Sequence, residues 1–405
     1  SRSPADAERL LEQAGSRGLG RAAAVTVLCR LGSLRGTLQR SLGADPRFRN
    51  LAQRLLEYLQ EEGSWDPQGL SNILQAVAHL KGRHPLLGPI ASRCCFLLQP
   101  LLEQAAARDL ADSAWALARL GGGERTLLRR IAHRAVMTIS TFSSMDVSRI
   151  AWAFSSLGMV EADLLRAIAR EVAAKRKDFS SQSLSNVAWA FANLEAAHEE
   201  LFSAVVQEAG PRLREFAPQG VSNLVWALAK VGADCSGVFH VAAEEICSNV
   251  HAYKPQELAS VAWAAARSGQ APAALLRAVA AEAGRDLGRF SGQGLSSLVW
   301  AWATLGVDDP PFLSALGREL GGRVGELSTQ GLANVAWALA TLDFEEAELF
   351  PLMEREAIRQ LWDFRPEELS SLAWAFARRS AGGPEFFGAL SEAAVQRRAD
   401  FAPQG

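Results

Sequence analysis

Apolar residues recur along this chain at every third or fourth position, in stretches a few helical turns long, and nowhere alternate as a half-buried strand requires. Around Trp226, a helical wheel turning ~100° per residue puts Val221, Leu224, Leu228 and Val231 on one stripe. That stripe is the predicted packing face. Ala227 and Ala229 flank it, and Trp226 falls opposite, on the side of Gln219, Asn223 and Lys230. The preceding stretch, 201–216, has the same apolar spacing, so the pattern reads as two successive helices.

The same phrase returns down the chain. Trp115, Trp152, Trp189, Trp226, Trp263, Trp300, Trp337 and Trp374 stand 37 residues apart, and a period of this kind marks stacked helical units. Leu184-Ser-Asn-Val-Ala-Trp-Ala-Phe-Ala-Asn-Leu194 and Leu332-Ala-Asn-Val-Ala-Trp-Ala-Leu-Ala-Thr-Leu342 are two copies. An earlier one, 70–80, carries Gln75 in place of Trp and lies 40 residues before Trp115, so one connection is longer. An alanine follows every one of the eight tryptophans, and small residues let neighbouring helices approach toward ~8 Å. First helices open near Pro67, Pro218, Pro255 or Pro366 and close near Gly121, Gly158, Gly232, Gly269 or Gly306, as Pro at the first turn and Gly past the last require.

The predicted class is therefore all-α: a right-handed α-solenoid of armadillo, HEAT or PPR type, built of stacked 37-residue helical hairpins. Residues 1–64 match the phrase poorly and read as a degenerate N-terminal helical cap. Residues 65–405 read as the tandem array, with eight Trp-anchored units from about residue 105. The tail Phe401-Ala-Pro-Gln-Gly405 copies Phe216-Ala-Pro-Gln-Gly220, which reads as the opening of a further repeat.

Composition changes this picture only by exclusion. With 49% hydrophobic residues the chain can bury a core, which excludes wholesale disorder. Its formal net charge of −2 supplies no global basic field, so any affinity for phosphates must come from local rows of Lys and Arg. The five cysteines, Cys29, Cys94, Cys95, Cys235 and Cys247, form no CxxC pair and read as buried thiols. No apolar run approaches the ~18 residues of a membrane span. The six histidines are scattered, and no HExxH, P-loop, GxSxG or dinucleotide fingerprint is present. No enzyme activity, cofactor, metal, small-molecule substrate or membrane partner is expected.

A repeat array that lacks a catalytic constellation works through its surface. Three positions before each Trp stand Asp112, Arg149, Asn186, Asn223, Ser260, Ser297, Asn334 and Ser371. Four positions after it stand Arg119, Ser156, Asn193, Lys230, Arg267, Thr304, Thr341 and Arg378. These two rows vary among hydrogen-bonding residues while their neighbours hardly change. A constant position cannot encode a sequence and a varying polar one can, so these sixteen residues are the candidate RNA-reading positions, by analogy with modular one-base-per-repeat readers. The eight indoles have two readings: glue between repeats, or stacking platforms for bases. A row of carboxylates, Glu171, Glu208, Glu245, Glu282, Glu319 and Glu356, recurs in the second helices and predicts ion pairs or backbone contacts between repeats rather than a metal array. Basic clusters there (Arg129-Arg130, Arg134, Lys175-Arg-Lys177, Arg212, Arg214, Arg323, Arg397-Arg398) read either as a solvated face or as a phosphate grip.

The phrase Phe216-Ala-Pro-Gln-Gly-Val-Ser-Asn-Leu-Val-Trp-Ala-Leu-Ala-Lys-Val-Gly232 resembles the octotricopeptide repeat and, in its strict period, the heptatricopeptide repeat. It is similar also to repeats of proteins with FAST-kinase-like and RAP regions, and of RNA-editing substrate-binding complex protein six. The resemblance covers residues 65–405. It implies an organellar protein, of mitochondrion or plastid, that binds single-stranded RNA in processing, stability, editing or translation, alone or with other proteins of an RNA-processing complex. No RAP domain is found in the chain, and its near-neutral charge departs from a typical RNA grip. The alternative is an armadillo-like scaffold for protein partners.

Overall fold

The structure is a computed structural model, which describes residues 4–15, 18–34, 42–61, 63–233, 236–343 and 348–401. Among them are 21 α-helices and no strand, packed pairwise in a repeating, solenoid-like array. The chain divides into two compact units, Ser1–Glu208 and Ala209–Gly405.

In the first unit the Trp-bearing helices are Ala107–Leu120, Ser144–Ser156 and Ser181–Asn193, preceded by Pro67–His79 with Gln75. In the second they are Pro218–Val231, Pro255–Ser268, Gly292–Leu305, Thr329–Leu342 and Pro366–Arg378. Within each unit every Trp helix packs on the next Trp helix, and most pack also on the second helix of their own repeat. The Trp helices form the tighter layer and the second helices the looser one. The reason lies in the alanines: Ala116, Ala153, Ala227, Ala264, Ala301, Ala338 and Ala375 are all 0% exposed, and no larger side chain keeps the backbones apart. The predicted stripe is buried at Val221, Leu224 and Leu228, while Val231 at the helix end is half-buried.

Helix starts follow the capping chemistry of the sequence. Ser180, Ser291 and Ser328 accept from the N–H groups of Ser183, Gly294 and Gly331 at 3.1–3.2 Å. In other repeats a carboxylate reaches back instead: Asp109, Asp146, Glu257 and Glu368 accept from the N–H groups of Ala106, Ser143, Lys254 and Arg365. A buried aromatic (Phe142, Phe179, Phe216, Tyr253, Phe290, Phe364) precedes the cap in six repeats, with Leu327 in its place before Ser328, spaced from a buried aliphatic as in a hydrophobic staple. Helix ends share one device: Gly121, Gly158, Gly232, Gly269 and Gly306 take positive φ, as predicted. The same place in the other three repeats is held by Glu195, Asp343 and Ser380, also at positive φ.

Each second helix ends in a 3₁₀ turn, and here the basic residues find their partners. Arg323 Nη1 donates to the Phe290 carbonyl at 2.8 Å, Lys175 Nζ to Ser140 at 2.8 Å, Arg134 Nη2 to Glu103 at 2.7 Å, and Arg397 Nη1 to Phe364. Every one of these acceptors lies in the preceding repeat. The cations thus clamp one repeat to the next, and the phosphate-grip reading of the basic clusters yields to this role at these four positions. The glutamate row feeds the same clamp. Glu319 pairs with Arg323 at 3.2 Å, Glu282 with Arg285 at 3.1 Å and with His251 at 2.5 Å, Glu171 with Lys175, and Glu356 with Arg359. Of these five ion pairs only Glu282–His251 spans two repeats, so the pairing expected between repeats lies mostly within one repeat.

At the N-terminal end, Arg21–Gly32 packs on Pro67–His79, and Pro46–Gln60 on Leu87–Leu98. Residues 1–3 and the tail 402–405, on which the further repeat is read, lie outside the described residues, as does Cys235. Cys94 and Cys95 are buried, Cys29 and Cys247 half-buried, and burial pushes the Cys29 thiol up to about 11 and the Cys95 thiol to about 12.

Candidate nucleic-acid interface

The face opposite the aliphatic stripe begins with the indoles. Seven of the eight repeated tryptophans are half-buried, and Trp374 is 45% exposed. They stand on one another as a ladder: Trp115 to Trp152 at 6.5 Å, Trp226 to Trp263 at 5.9 Å, Trp263 to Trp300 at 6.1 Å with planes 24° apart. His79, one turn beyond Gln75, replaces the missing indole and lies 5.0 Å from Trp115. A base is ~3.4 Å thick, so seating one between two indoles needs ~6.8 Å. The observed separations are smaller. Bases therefore have no room between consecutive indoles of these pairs, and the ladder acts there as inter-repeat packing, leaving only outer edges to a ligand.

The polar rows divide into closed and open parts. In the first unit the row three positions before Trp is closed at its start. Asp112 is 2% exposed, and its carboxylate is taken by Arg149 of the next repeat and approached by Arg108 at 3.6 Å. Burial pushes the Asp112 carboxyl above its ordinary range, against the pull of Arg149. Asn186 is half-buried. In the row after Trp, Asn193 Nδ2 donates to the Ser155 hydroxyl of the preceding Trp helix at 3.1 Å, and Ser156 donates to the Ala153 carbonyl. The Arg119 guanidinium lies over Trp115 at 5.1 Å.

In the second unit the same face opens into a groove of about 920 Å³. It is lined by Trp226, Lys230, Ser260, Trp263, Ser297 and Asn334 from the predicted set. The groove also takes in Lys254, Gln256, Arg289, Gln293 and Gln330, which the sequence pattern does not single out. The helical wheel places Gln219 on this side, and the signal that extends it to a row is the Pro-Gln opening, whose proline alone marks the helix start. Gln256, Gln293 and Gln330 are exposed, each one helical turn before Ser260, Ser297 or Asn334 and two turns before Trp263, Trp300 or Trp337. Each of these three helices thus presents an amide, a small polar group and an indole on one stripe. Asn223 is half-buried in the same row.

The remaining predicted residues lie apart from the groove. Arg267, Thr304 and Thr341 are exposed at helix ends. Ser371 donates to the Glu367 carbonyl within its own turn, while Arg378 donates to the Ala340 carbonyl at 3.0 Å and lies over Trp374 at 5.6 Å. Trp302, absent from the ladder, is fully buried against Phe312 at 4.8 Å. No group of side chains suited to a metal ion occurs among the described residues, and none of the described helices is long and apolar enough to cross a membrane.

Fold and face together define a helical-repeat protein with a polar, cation-edged groove along its Trp helices. A family comparison makes this specific. The chain belongs to the RNA-editing substrate-binding complex 6 protein family, whose profile matches residues 42–310. Membership implies a role in an RNA-editing complex and, since such complexes act in mitochondrial RNA editing, a mitochondrial setting. No curated protein matches the chain. Among solved structures it is similar to a chain of a homology model of the full-length AP-3 complex in an intermediate open conformation, at 11% identity and TM-score 0.28, covering 96% of this chain and 74% of the other. It is similar also to a circular tandem repeat protein with novel repeat topology, at 16% identity and TM-score 0.24, covering 94% and 97%.

Proposed function

We propose that this chain is a non-catalytic subunit that holds single-stranded RNA along its Trp-helix face within a mitochondrial RNA-editing substrate-binding complex. The groove of the second unit carries this reading. It combines three cations (Lys230, Lys254, Arg289) with hydrogen-bonding side chains repeated from helix to helix, the pairing of phosphate attraction with base-edge contact that single strands require. Kinship with octotricopeptide and heptatricopeptide repeats belongs to the same proposal.

The test is retention of a random single-stranded RNA pool by the 405-residue chain at two salt concentrations, with the bound fraction sequenced. Three phosphate contacts give a slope of about −2 in log affinity against log salt. Lys230→Ala reduces that slope, and Asn334→Ala changes the enriched sequence. No retention at low salt refutes the proposal.

A second reading, a scaffold for protein partners, is favoured by one observation. Ile358, Trp362 and Val395 are 44%, 54% and 67% exposed on the second-helix side, and Ile358 and Val395 are one repeat period apart. A salt-insensitive protein partner that no longer binds after Trp362→Ala supports it.

A further inference from the structure

We infer that the groove between Trp226 and Asn334 is a seat for a run of adenines. The inference rests on the single-stranded-RNA reading and narrows it to a base. Its starting point is a run of one residue type along the groove. Gln256, Gln293 and Gln330 occupy the second residue of three successive helices, all exposed and all lining one groove. Beside them stand the small hydrogen-bonding residues Ser260, Ser297 and Asn334. A varying row can read a mixed sequence; a constant one selects the same base at each step.

The chemistry of the amide decides which base. A glutamine side chain offers one N–H donor and one carbonyl acceptor side by side. Unstacked bases in single strands are read on both their Watson–Crick and Hoogsteen edges. On its Hoogsteen edge guanine carries two acceptors, O6 and N7, which a single amide cannot match. Cytosine and uracil offer an adjacent donor and acceptor only on the Watson–Crick edge. Adenine alone offers the pair on both, N6–H with N7 and N6–H with N1, so it fits an amide whichever edge faces the protein. Cations line the same groove: Lys254 approaches Glu257 no closer than 3.9 Å, and Arg289 is exposed, so both can meet the phosphates of a strand.

The first unit lacks this arrangement. There the run is broken: Arg108 and Met145 hold the position of Gln256 between Gln68 and Gln182, and the Asp112–Arg149 pair closes the adjoining row. Adenine selection therefore belongs to the second unit.

The experiment measures fluorescence anisotropy of labelled twelve-nucleotide oligo(A), oligo(U) and oligo(C) with the 405-residue chain, beside the Gln256→Ala, Gln293→Ala, Gln330→Ala triple variant. The three glutamines are exposed, so the variant keeps the fold, which circular dichroism checks. Oligo(A) binds about tenfold or more tightly than the others, and the triple variant binds all three alike, because alanine offers no amide to pair with the adenine edge. Binding of all three oligomers with equal affinity by the unaltered chain overturns the inference and leaves RNA binding standing, as does an adenine preference that survives the triple substitution. Failure to bind any oligomer at low salt overturns both.

Discussion

Asp112 and Arg149 hold the same place in successive repeats, three residues before Trp, and close on one another as an ion pair. Asp112 is 2% exposed, so the carboxylate depends on this partner. At the same place in the second unit, Ser260 and Ser297 stay open to a groove. One row of the repeat thus serves cohesion in one unit and is available for recognition in the other.

Removing Arg149 leaves the buried carboxylate with only the exposed Arg108, at 3.6 Å. Arg149→Met is expected to lower unfolding free energy by about 1–3 kcal/mol, and adding Asp112→Asn to recover most of it. Urea titrations of the single and double variants measure this. Equal stability of wild type and Arg149→Met would show the pair to be idle.

Three helix ends carry non-glycine residues at positive φ, where an L side chain is strained. Ser380→Gly is expected to stabilise the chain by about 0.5–1 kcal/mol, the relief of strain exceeding the entropy given to the unfolded chain. Gly269→Ala should cost a similar amount. A thermal melt of each reads the sign, and a lower melting temperature for Ser380→Gly contradicts the argument.

His79 sits in the ladder against Trp115, and burial, with Arg119 and Arg149 nearby, holds its imidazole below the ordinary pKa. The unfolded chain then binds the proton more readily than the native one, so the contribution of His79 to stability is present above the unfolded pKa of ~6.5 and is lost as pH falls through the native value. Wild type should lose more stability than His79→Gln between about pH 8 and pH 5.5, a window that brackets the unfolded value. His84 shifts in the same direction, so a residual slope remains in the variant. Identical slopes would place His79 outside the linkage.

Arg323 bonds the Phe290 carbonyl of the repeat before it while paired with Glu319 and Glu326. Arg323→Met should cost about 1–3 kcal/mol, since a charge-assisted bond is removed and a carbonyl at a helix end is left without it. Arg318→Met in the same helix is the reference, with a change within about 0.5 kcal/mol. If the two match, the clamp contributes nothing.

Much of this fold is legible in the sequence because its determinants are local. Pro218 and Pro255 mark helix starts, Gly232 and Gly306 mark ends, and Ala227 sets the spacing of neighbours. Each acts through backbone geometry that a single residue controls. The Asp112–Arg149 pair is not legible: the period places the two residues on one face but does not say that their side chains reach each other. Arg323 and Lys175 read equally well as solvated charges until the 3₁₀ turns supply carbonyls within reach. Trp302 breaks the ladder's spacing and gives no sign of its buried place. The groove is half legible, since Ser260, Ser297 and Asn334 stand out by varying. The glutamines beside them do not, because a constant residue looks like scaffold.

The left-handed turn that ends each Trp helix recurs at one place in every repeat. Excising the segment 233–269 would join Gly232 to Gln270 and leave the same kind of turn on both sides of the cut. Whole repeats are in that sense interchangeable parts, and a chain of this design can be lengthened or shortened by duplication without redesigning a core. The length of its Trp-helix face would then be set by how many parts it keeps.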